Sequence, residues 1–69
     1  MKIQLKALRV NKDMTQQDAA NALNVSVRTI QNWEDYTTFP TGPQLIAICS
    51  LYECGLNDIF LPEKLAKSE

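Results

Sequence analysis

The stretch "TQQDAANALNVSVRTIQNWE", Thr15 to Glu34, carries start and stop signals for two short helices. Thr15 is able to cap a helix through its hydroxyl, and Asp18 three residues later approximates a capping box and suits the positive end of the helix dipole. Asn24 stands where the chain must turn, and Asn tolerates the left-handed conformation found after many helices. Ser26 is a second capping residue. The stretch therefore predicts two helices joined by a very short turn.

The apolar residues of these two helices are expected to face each other. The first helix, Gln16 to Leu23, contains two alanines that are small enough for another helix to approach closely. In the second helix, Ile30 and Trp33 lie on one side because they are three residues apart. Two helices separated by so short a turn must cross steeply. The alanine face of the first helix therefore lies under the apolar face of the second.

The other side of the second helix carries Val27, Arg28, Gln31 and Asn32. One interpretation is an ordinary solvated surface, because Arg, Gln and Asn are common there. The other is a groove of DNA, since the paired donors and acceptors of these side chains match base edges, and Val packs on a thymine methyl group. The residues alone leave both interpretations open.

Outside this stretch the sequence predicts three further helices. Residues 2–11 mix apolar and basic side chains as in an amphipathic helix, and residues 43–52 form a helix that is apolar almost all round and therefore buried. A short fifth helix follows from residue 56 and stops near Pro62. The loop "DYTTFPTGP" precedes Gln44. One core is expected, formed by Leu5, Leu8, Ala20, Leu23, Val25, Ile30, Trp33, Leu45, Ile48, Leu51, Ile59 and Phe60.

Composition limits the class of protein. A chain of 69 residues is one domain, here predicted over residues 1–62 with a C-terminal tail at residues 63–69. The net charge of −1 and the sequence pI of about 5.3 count against nucleic-acid binding, because such domains are commonly basic. Neither a signal segment nor an apolar run of about 18 residues is present, so we expect a cytoplasmic protein that does not enter membranes.

Catalytic and metal-binding patterns are missing from the sequence. The chain has no histidine and no glycine-rich phosphate loop, so we expect no enzyme activity. Cys49 and Cys54 are too few ligands for zinc, so neither a metal nor a cofactor is expected. Cys49 lies in the apolar run "LIAICSLY" and is interpreted as a small buried hydrophobe of a reduced protein.

The pattern resembles the helix-turn-helix domains of lambdoid phage repressors and the wider Xre/Cro family of transcription regulators. The resemblance runs from "LKALR" through "MTQQDAANALNVSVRTIQNWE" to "GLNDIF". With Gln16 as the first position of the family's twenty-residue motif, its small fifth residue is Ala20. The apolar eighth, tenth, fifteenth and eighteenth positions are Leu23, Val25, Ile30 and Trp33. The resemblance implies an all-α, compact five-helix lambda-repressor-like domain.

The resemblance also implies roles for individual residues. Residues 26–34 correspond to the recognition helix, within which Val27, Arg28 and Asn32 match positions that meet base edges and Gln31 is an auxiliary. Gln16 matches the glutamine that binds backbone phosphate, although a first-turn helix residue is the simpler alternative. The implied DNA-binding residues are Gln16, Ser26, Val27, Arg28, Gln31 and Asn32.

A structural ion pair is implied as well. Family members pair an arginine near the end of the first helix with a glutamate at the end of the recognition helix. The matching residues are Arg9 and Glu34. We therefore expect this pair to tie the first helix to the third.

The sequence departs from the family pattern in and after the recognition unit. Asn24 replaces the usual turn glycine, and the glycine that follows the recognition helix is replaced near Asp35 and Tyr36, where a bulky residue disfavours the left-handed conformation. The loop "DYTTFPTG" has no Lys or Arg for phosphate binding. It offers two aromatics instead, Tyr36 and Phe39, and exposed aromatics suit protein interfaces.

Two functions from different classes follow. The first is a sequence-specific regulator that binds a double-stranded DNA operator as a small homodimer, with its recognition helices in successive major grooves about 34 Å apart. The second is a phage antirepressor-type protein of the same fold, which binds a partner repressor and covers its DNA-binding surface. The composition favours the second and the motif favours the first. We expect the first.

Overall fold

The computed structural model describes residues 2–60 of the chain. Within these residues the fold is all-helical and no extended sheet is present. The four α-helices are α1 (Leu5–Asn11), α2 (Gln16–Leu23), α3 (Val27–Glu34) and α4 (Gly42–Tyr52), and a 3₁₀ turn (Leu56–Asp58) follows. The predicted domain boundary at residue 62 and the predicted tail lie outside the described residues. Among residues 2–60, no helix is long and apolar enough to span a bilayer.

Local interactions cap the starts of α2 and α3 and define the turn between them, as the sequence predicted. The Thr15 hydroxyl accepts a hydrogen bond from the Asp18 amide at 3.0 Å, and the Asp18 carboxylate accepts one from the Thr15 amide at 3.0 Å. Asn24 ends α2 with φ 60° and ψ 45°, in the left-handed region. Ser26 begins α3 by accepting a hydrogen bond from the Thr29 amide at 3.1 Å. Backbone amides in the first turns of α2 and α3 therefore find hydrogen-bond acceptors only a few residues away.

The core lies between α1, α2, α3 and α4. Trp33 is only 4% exposed and contributes the largest buried side chain of α3. Ala19 and Ala20 are fully buried, which allows α3 to cross closely over α2. Four predicted core residues are partly buried and pack against this core: Leu23, Val25, Leu45 and Leu51. The buried hydrophobic residues are Leu5, Leu8, Ala19, Ala20, Ile30, Trp33, Ile48, Tyr52 and Ile59.

The predicted fifth helix is wrong. A single 3₁₀ turn occupies this place, after which Ile59 is extended and forms an isolated parallel bridge with Ile3. The Ile3 amide donates to the Asp58 carbonyl at 2.7 Å, and the Phe60 amide donates to the Ile3 carbonyl at 2.8 Å. Side chains alternate along extended backbone, so Ile59 points inward and Phe60, predicted in the core, is 38% exposed.

Two other predictions require correction. The first helix begins at Leu5 and not at residue 2, because Ile3 belongs to the bridge and Gln4 has an extended backbone. The fourth helix is not buried all round, since Ile46 is 70% exposed. A domain this small has too few elements to cover every side of α4, and those that pack on it leave this face open.

Candidate nucleic-acid interface

Helix α3 has one face in the core and one face outside it. Ile30 and Trp33 are buried, whereas Arg28 is exposed. Gln31 and Asn32 are half-buried at the side of the helix. The outer face therefore offers a guanidinium group and two carboxamides on one side of a helix whose other side is anchored.

Val27 differs from this group. It was predicted on the outer face, and the structure leaves it half-buried and packed against the core. Val27 is the first residue of α3, directly after Ser26, and part of its side chain stays exposed there. Val27 therefore both anchors the start of the helix and presents some apolar surface beside it.

Ser26 is already engaged by its own helix. Its hydroxyl caps α3 through the Thr29 amide and also lies 3.0 Å from the Thr29 hydroxyl. The residue remains exposed, so its hydroxyl is accessible from solvent. Its main role in the free domain is to start α3.

The carboxylate of Glu34 joins three elements of the domain. Arg9 Nε donates to Glu34 Oε2 at 2.7 Å, and a terminal nitrogen of the same guanidinium reaches Oε1 at 3.3 Å. Another terminal nitrogen donates to the Met14 carbonyl at 2.8 Å. The side chains of Arg9 and Glu34 are 9% and 5% exposed, and the hydrogen bond to Glu34 raises the pKa of Arg9 while burial opposes this rise. This bidentate pair ties α1 to the end of α3, as the sequence implied.

Gln16 belongs to the same network, which the sequence did not indicate. Its Nε2 donates to Glu34 Oε1 at 3.1 Å, and its Oε1 accepts a long hydrogen bond from Gln31 Nε2 at 3.4 Å. The primary amide of Gln16 has a second N–H besides the one used by Glu34. The network therefore orients the Gln16 amide at the beginning of α2 and links it to the outer face of α3.

Tyr52 is a buried residue close enough to this network to feel the charges of Glu34 and Arg9. It was left out of the predicted core, although it ends the apolar run of α4, and it is buried in the structure. Burial raises its pKa to about 12, with a further contribution from the charge of Glu34. Its place at the end of an apolar helix was the only sequence signal for this burial. That signal is weak, because Tyr as a residue type is intermediate between buried and exposed.

The segment after α3 contains a left-handed residue near the place where the family pattern has glycine, and this conformation is strained for a bulky side chain. Tyr36 has φ 60°, in the left-handed region. Its hydroxyl donates to the Phe60 carbonyl at 3.2 Å, and its ring meets the Phe60 ring edge to face with centroids 5.9 Å apart. Tyr36 and Phe39 are both half-buried, so neither is a fully exposed anchor for a partner.

Positive charge is sparse around α3. Arg28 is the only Lys or Arg between residues 13 and 63. Lys2 and Lys6 are exposed on the first segment, and Lys12 is paired with Glu53 at 2.7 Å. The outer face of α3 therefore has side chains suited to base edges and few that suit phosphates.

Comparison with known protein families agrees with this geometry. The helix-turn-helix family matches residues 5–59 of the 69, a span that contains all four α-helices and ends at Ile59. No curated protein matches the chain. Domains of the matched family are DNA-binding regulators and generally not enzymes. The chain therefore belongs to the Xre/Cro-like helix-turn-helix family.

Proposed function

We propose that the chain is a sequence-specific transcription regulator of the phage repressor/Cro type, which places α3 in the major groove of a DNA operator. The observation that carries the proposal is the exposed Arg28 on α3, flanked by Gln31 and Asn32, on a helix whose opposite face is buried. A helix held in this way keeps its base-reading side chains in a defined position.

Each outer residue has a chemical role in this proposal. Arg28 donates two hydrogen bonds to O6 and N7 of a guanine, and Asn32 pairs with N6 and N7 of an adenine. The exposed part of Val27 contacts a thymine methyl group, and Ser26 accepts or donates at the helix start. Gln16 donates its second amide N–H to a backbone phosphate, since Glu34 holds its first.

The regulator acts as a homodimer in this proposal. Two copies present two α3 helices to half-sites one helical turn apart, about 34 Å. A twofold-symmetric operator follows from this arrangement. Footprinting that protects a single half-site would contradict it.

The test is a gel-shift titration with duplex DNA from the regions that flank the coding gene. Arg28→Ala is expected to weaken specific binding by about 1–3 kcal/mol and to relax preference at one base pair. Arg28→Lys is the matched control, because it keeps the charge but loses the planar fork of donors. The Arg28→Lys variant is therefore expected to retain non-specific DNA binding and to lose the base preference. Equal specific affinity in all three proteins would remove Arg28 from base reading.

Salt dependence is a second readout of the same interface. Because Arg28 is the only Lys or Arg between residues 13 and 63, and the Arg9 guanidinium is paired with Glu34, few phosphates are neutralised and few counterions are released. We expect the slope of log affinity against log salt to be shallow, about −4 or less steep. A steep slope would mean that basic residues from other parts of the chain make most of the contacts.

A second candidate function is the antirepressor, in which this face binds a partner repressor. The observation that favours it is the loop after α3, which has an acidic residue, Asp35, and two half-buried aromatics in place of basic residues. A pull-down with the neighbouring regulator separates the two functions. Capture that is lost in Phe39→Ala, together with no DNA binding at physiological salt, supports the antirepressor.

Tyr36 requires a control in that experiment. Its ring and hydroxyl already contact Phe60, so Tyr36→Ala alters the fold as well as the surface. Tyr36→Phe keeps the ring and removes only the hydrogen bond. Specific operator binding that is unaffected by Phe39→Ala and Tyr36→Phe would exclude the antirepressor function.

A further inference from the structure

The C-terminal end of α4 brings the two cysteines of the chain together. Glu53 has φ 56° and ψ 52°, in the left-handed region, and the chain reverses there. The Cys54 amide then donates to the Cys49 carbonyl at 3.0 Å, which is the six-to-one hydrogen bond of a Schellman motif. In this motif the residues joined by the bond commonly make an apolar side-chain contact. Here both of these positions are occupied by cysteines.

The backbone geometry meets the distance requirement for a disulfide. The carbonyl oxygen of Cys49 and the amide nitrogen of Cys54 are 3.0 Å apart, and each lies one or two covalent bonds from its own Cα atom. The two Cα atoms are therefore within about 7 Å of each other, which is the upper limit for a disulfide. Cys49 and Cys54 are free thiols, are half-buried and pack against the core. Burial raises the pKa of the Cys54 thiol, and the neighbouring Cys49 raises it further.

We propose that Cys49 and Cys54 form a reversible dithiol–disulfide couple that closes the end of α4. The oxidant is a low-molecular-weight disulfide such as oxidised glutathione. One protein thiolate attacks a sulfur of the glutathione disulfide, whose S–S bond breaks, and the departing thiolate takes up a proton. The second protein thiolate attacks the protein sulfur of the mixed disulfide and releases the second glutathione. Two electrons pass from the protein thiols to glutathione, and the protons of the two protein thiols end on the two glutathiones.

The folded domain is expected to favour the oxidised form. In the unfolded chain the two thiols must meet by random closure of the segment between them, whereas the Schellman hydrogen bond holds them together in the folded domain. The folded domain is therefore expected to oxidise at a lower ratio of oxidised to reduced glutathione than the unfolded chain. By thermodynamic linkage, oxidation stabilises the folded domain by the same factor.

The experiment equilibrates the full chain with glutathione buffers of increasing oxidation, with and without urea, and measures intact mass after acid quenching. The folded chain is expected to lose about 2 Da, the mass of two hydrogens, and to be half-oxidised at a glutathione ratio about tenfold lower than the unfolded chain. Oxidation that is harder in the folded chain than in urea would overturn the proposal, because the fold would then hold the thiols apart. A folded chain carrying two glutathiones or linked into dimers would overturn it too.

Cys49→Ser and Cys54→Ser are matched controls. Each variant retains one thiol and is expected to stop at the mixed disulfide with glutathione, because no second thiol is available to displace it. Circular dichroism establishes that each variant is folded. If a variant does not fold, the comparison of the wild-type chain with and without urea still decides the proposal. DNA binding is not used as a readout, so failure of this proposal is distinct from failure of the proposed function.

Discussion

The helix-turn-helix unit, residues 15–34, and the closing segment, residues 53–60, are stabilised in different ways. In the first, Thr15, Asp18 and Ser26 satisfy helix ends through hydrogen bonds between residues three apart. In the second, Asp58 and Phe60, on either side of Ile59, are hydrogen-bonded to Ile3, more than fifty residues earlier in the chain. Local signals therefore decide the first region and long-range pairing decides the second.

Substitution of one aromatic residue in each region is expected to give the largest difference in the free energy of unfolding between the two regions. Trp33→Ala is expected to lower the free energy of unfolding by about 3–5 kcal/mol, because the indole is almost fully buried. A domain this small is able to lose most of its stability in that change. Phe60→Ala is expected to cost about 1 kcal/mol, since the ring is partly exposed and makes one edge-to-face contact with Tyr36. Urea titration followed by circular dichroism measures both. Similar losses would mean that the closing segment contributes to the core as much as α3.

A double-mutant cycle on the ion pairs sharpens the comparison. Arg9→Met or Glu34→Met alone is expected to cost about 3 kcal/mol, because each leaves a buried charge without its partner. The double variant is expected to lose less than the sum of the two, and less than either single change if the methionines pack well.

The exposed pair of the closing segment is the control for this cycle. Lys12→Met and Glu53→Met remove an ion pair of the same N···O length, 2.7 Å, whose Glu53 side chain is 73% exposed. The two changes are expected to be additive, because solvent screens the pair. Additive losses at Arg9 and Glu34 as well would show that burial does not separate the two pairs.

The smallest expected effect is a difference in acid response. Hydrogen bonds with Thr15, through its amide and its hydroxyl, hold the pKa of Asp18 below its usual value, and the hydrogen bond from Lys12 does the same for Glu53. In both cases stability is complete above the carboxyl's ordinary pKa and is lost as pH falls through the lowered value. Unfolding temperatures between about pH 5 and about pH 2.5 are expected to fall less in Asp18→Asn than in the wild-type chain.

Salt distinguishes the two carboxylates. The Lys12–Glu53 pair is an attraction between exposed full charges, so about 0.5 M salt is expected to remove the contribution of Glu53 to the acid response. The Asp18 carboxylate accepts a hydrogen bond from a backbone amide within its own helix start, so its contribution is expected to persist. If salt removes both contributions equally, the helix cap acts only through long-range charge.

The contacts around Gln16 were only partly predictable from the sequence, less so than the helix caps and more so than the closing segment. The sequence indicated that Arg9 and Glu34 pair, because both matched positions of a known pattern. It did not indicate that Gln16 donates to Glu34 or accepts from Gln31, because those contacts depend on how α2 and α3 cross. The roles proposed for Arg28 and Asn32 in DNA binding remain predictions for the gel-shift titration.

Residues 15–34 of the sequence by themselves determined two helices, their caps at Thr15 and Ser26 and the left-handed turn at Asn24. Each of these features depends on atoms only a few residues apart, so it is encoded locally. Only the tertiary structure decided that Ile59 is extended and buried and that Phe60 is outside the core. The spacing of residues 56–60 is compatible with a helix, but a helix there would lose the hydrogen bonds with Ile3 and the burial of Ile59. Local spacing does not encode the position of a partner fifty residues away, because that partner is brought near only when the helices have packed on one another.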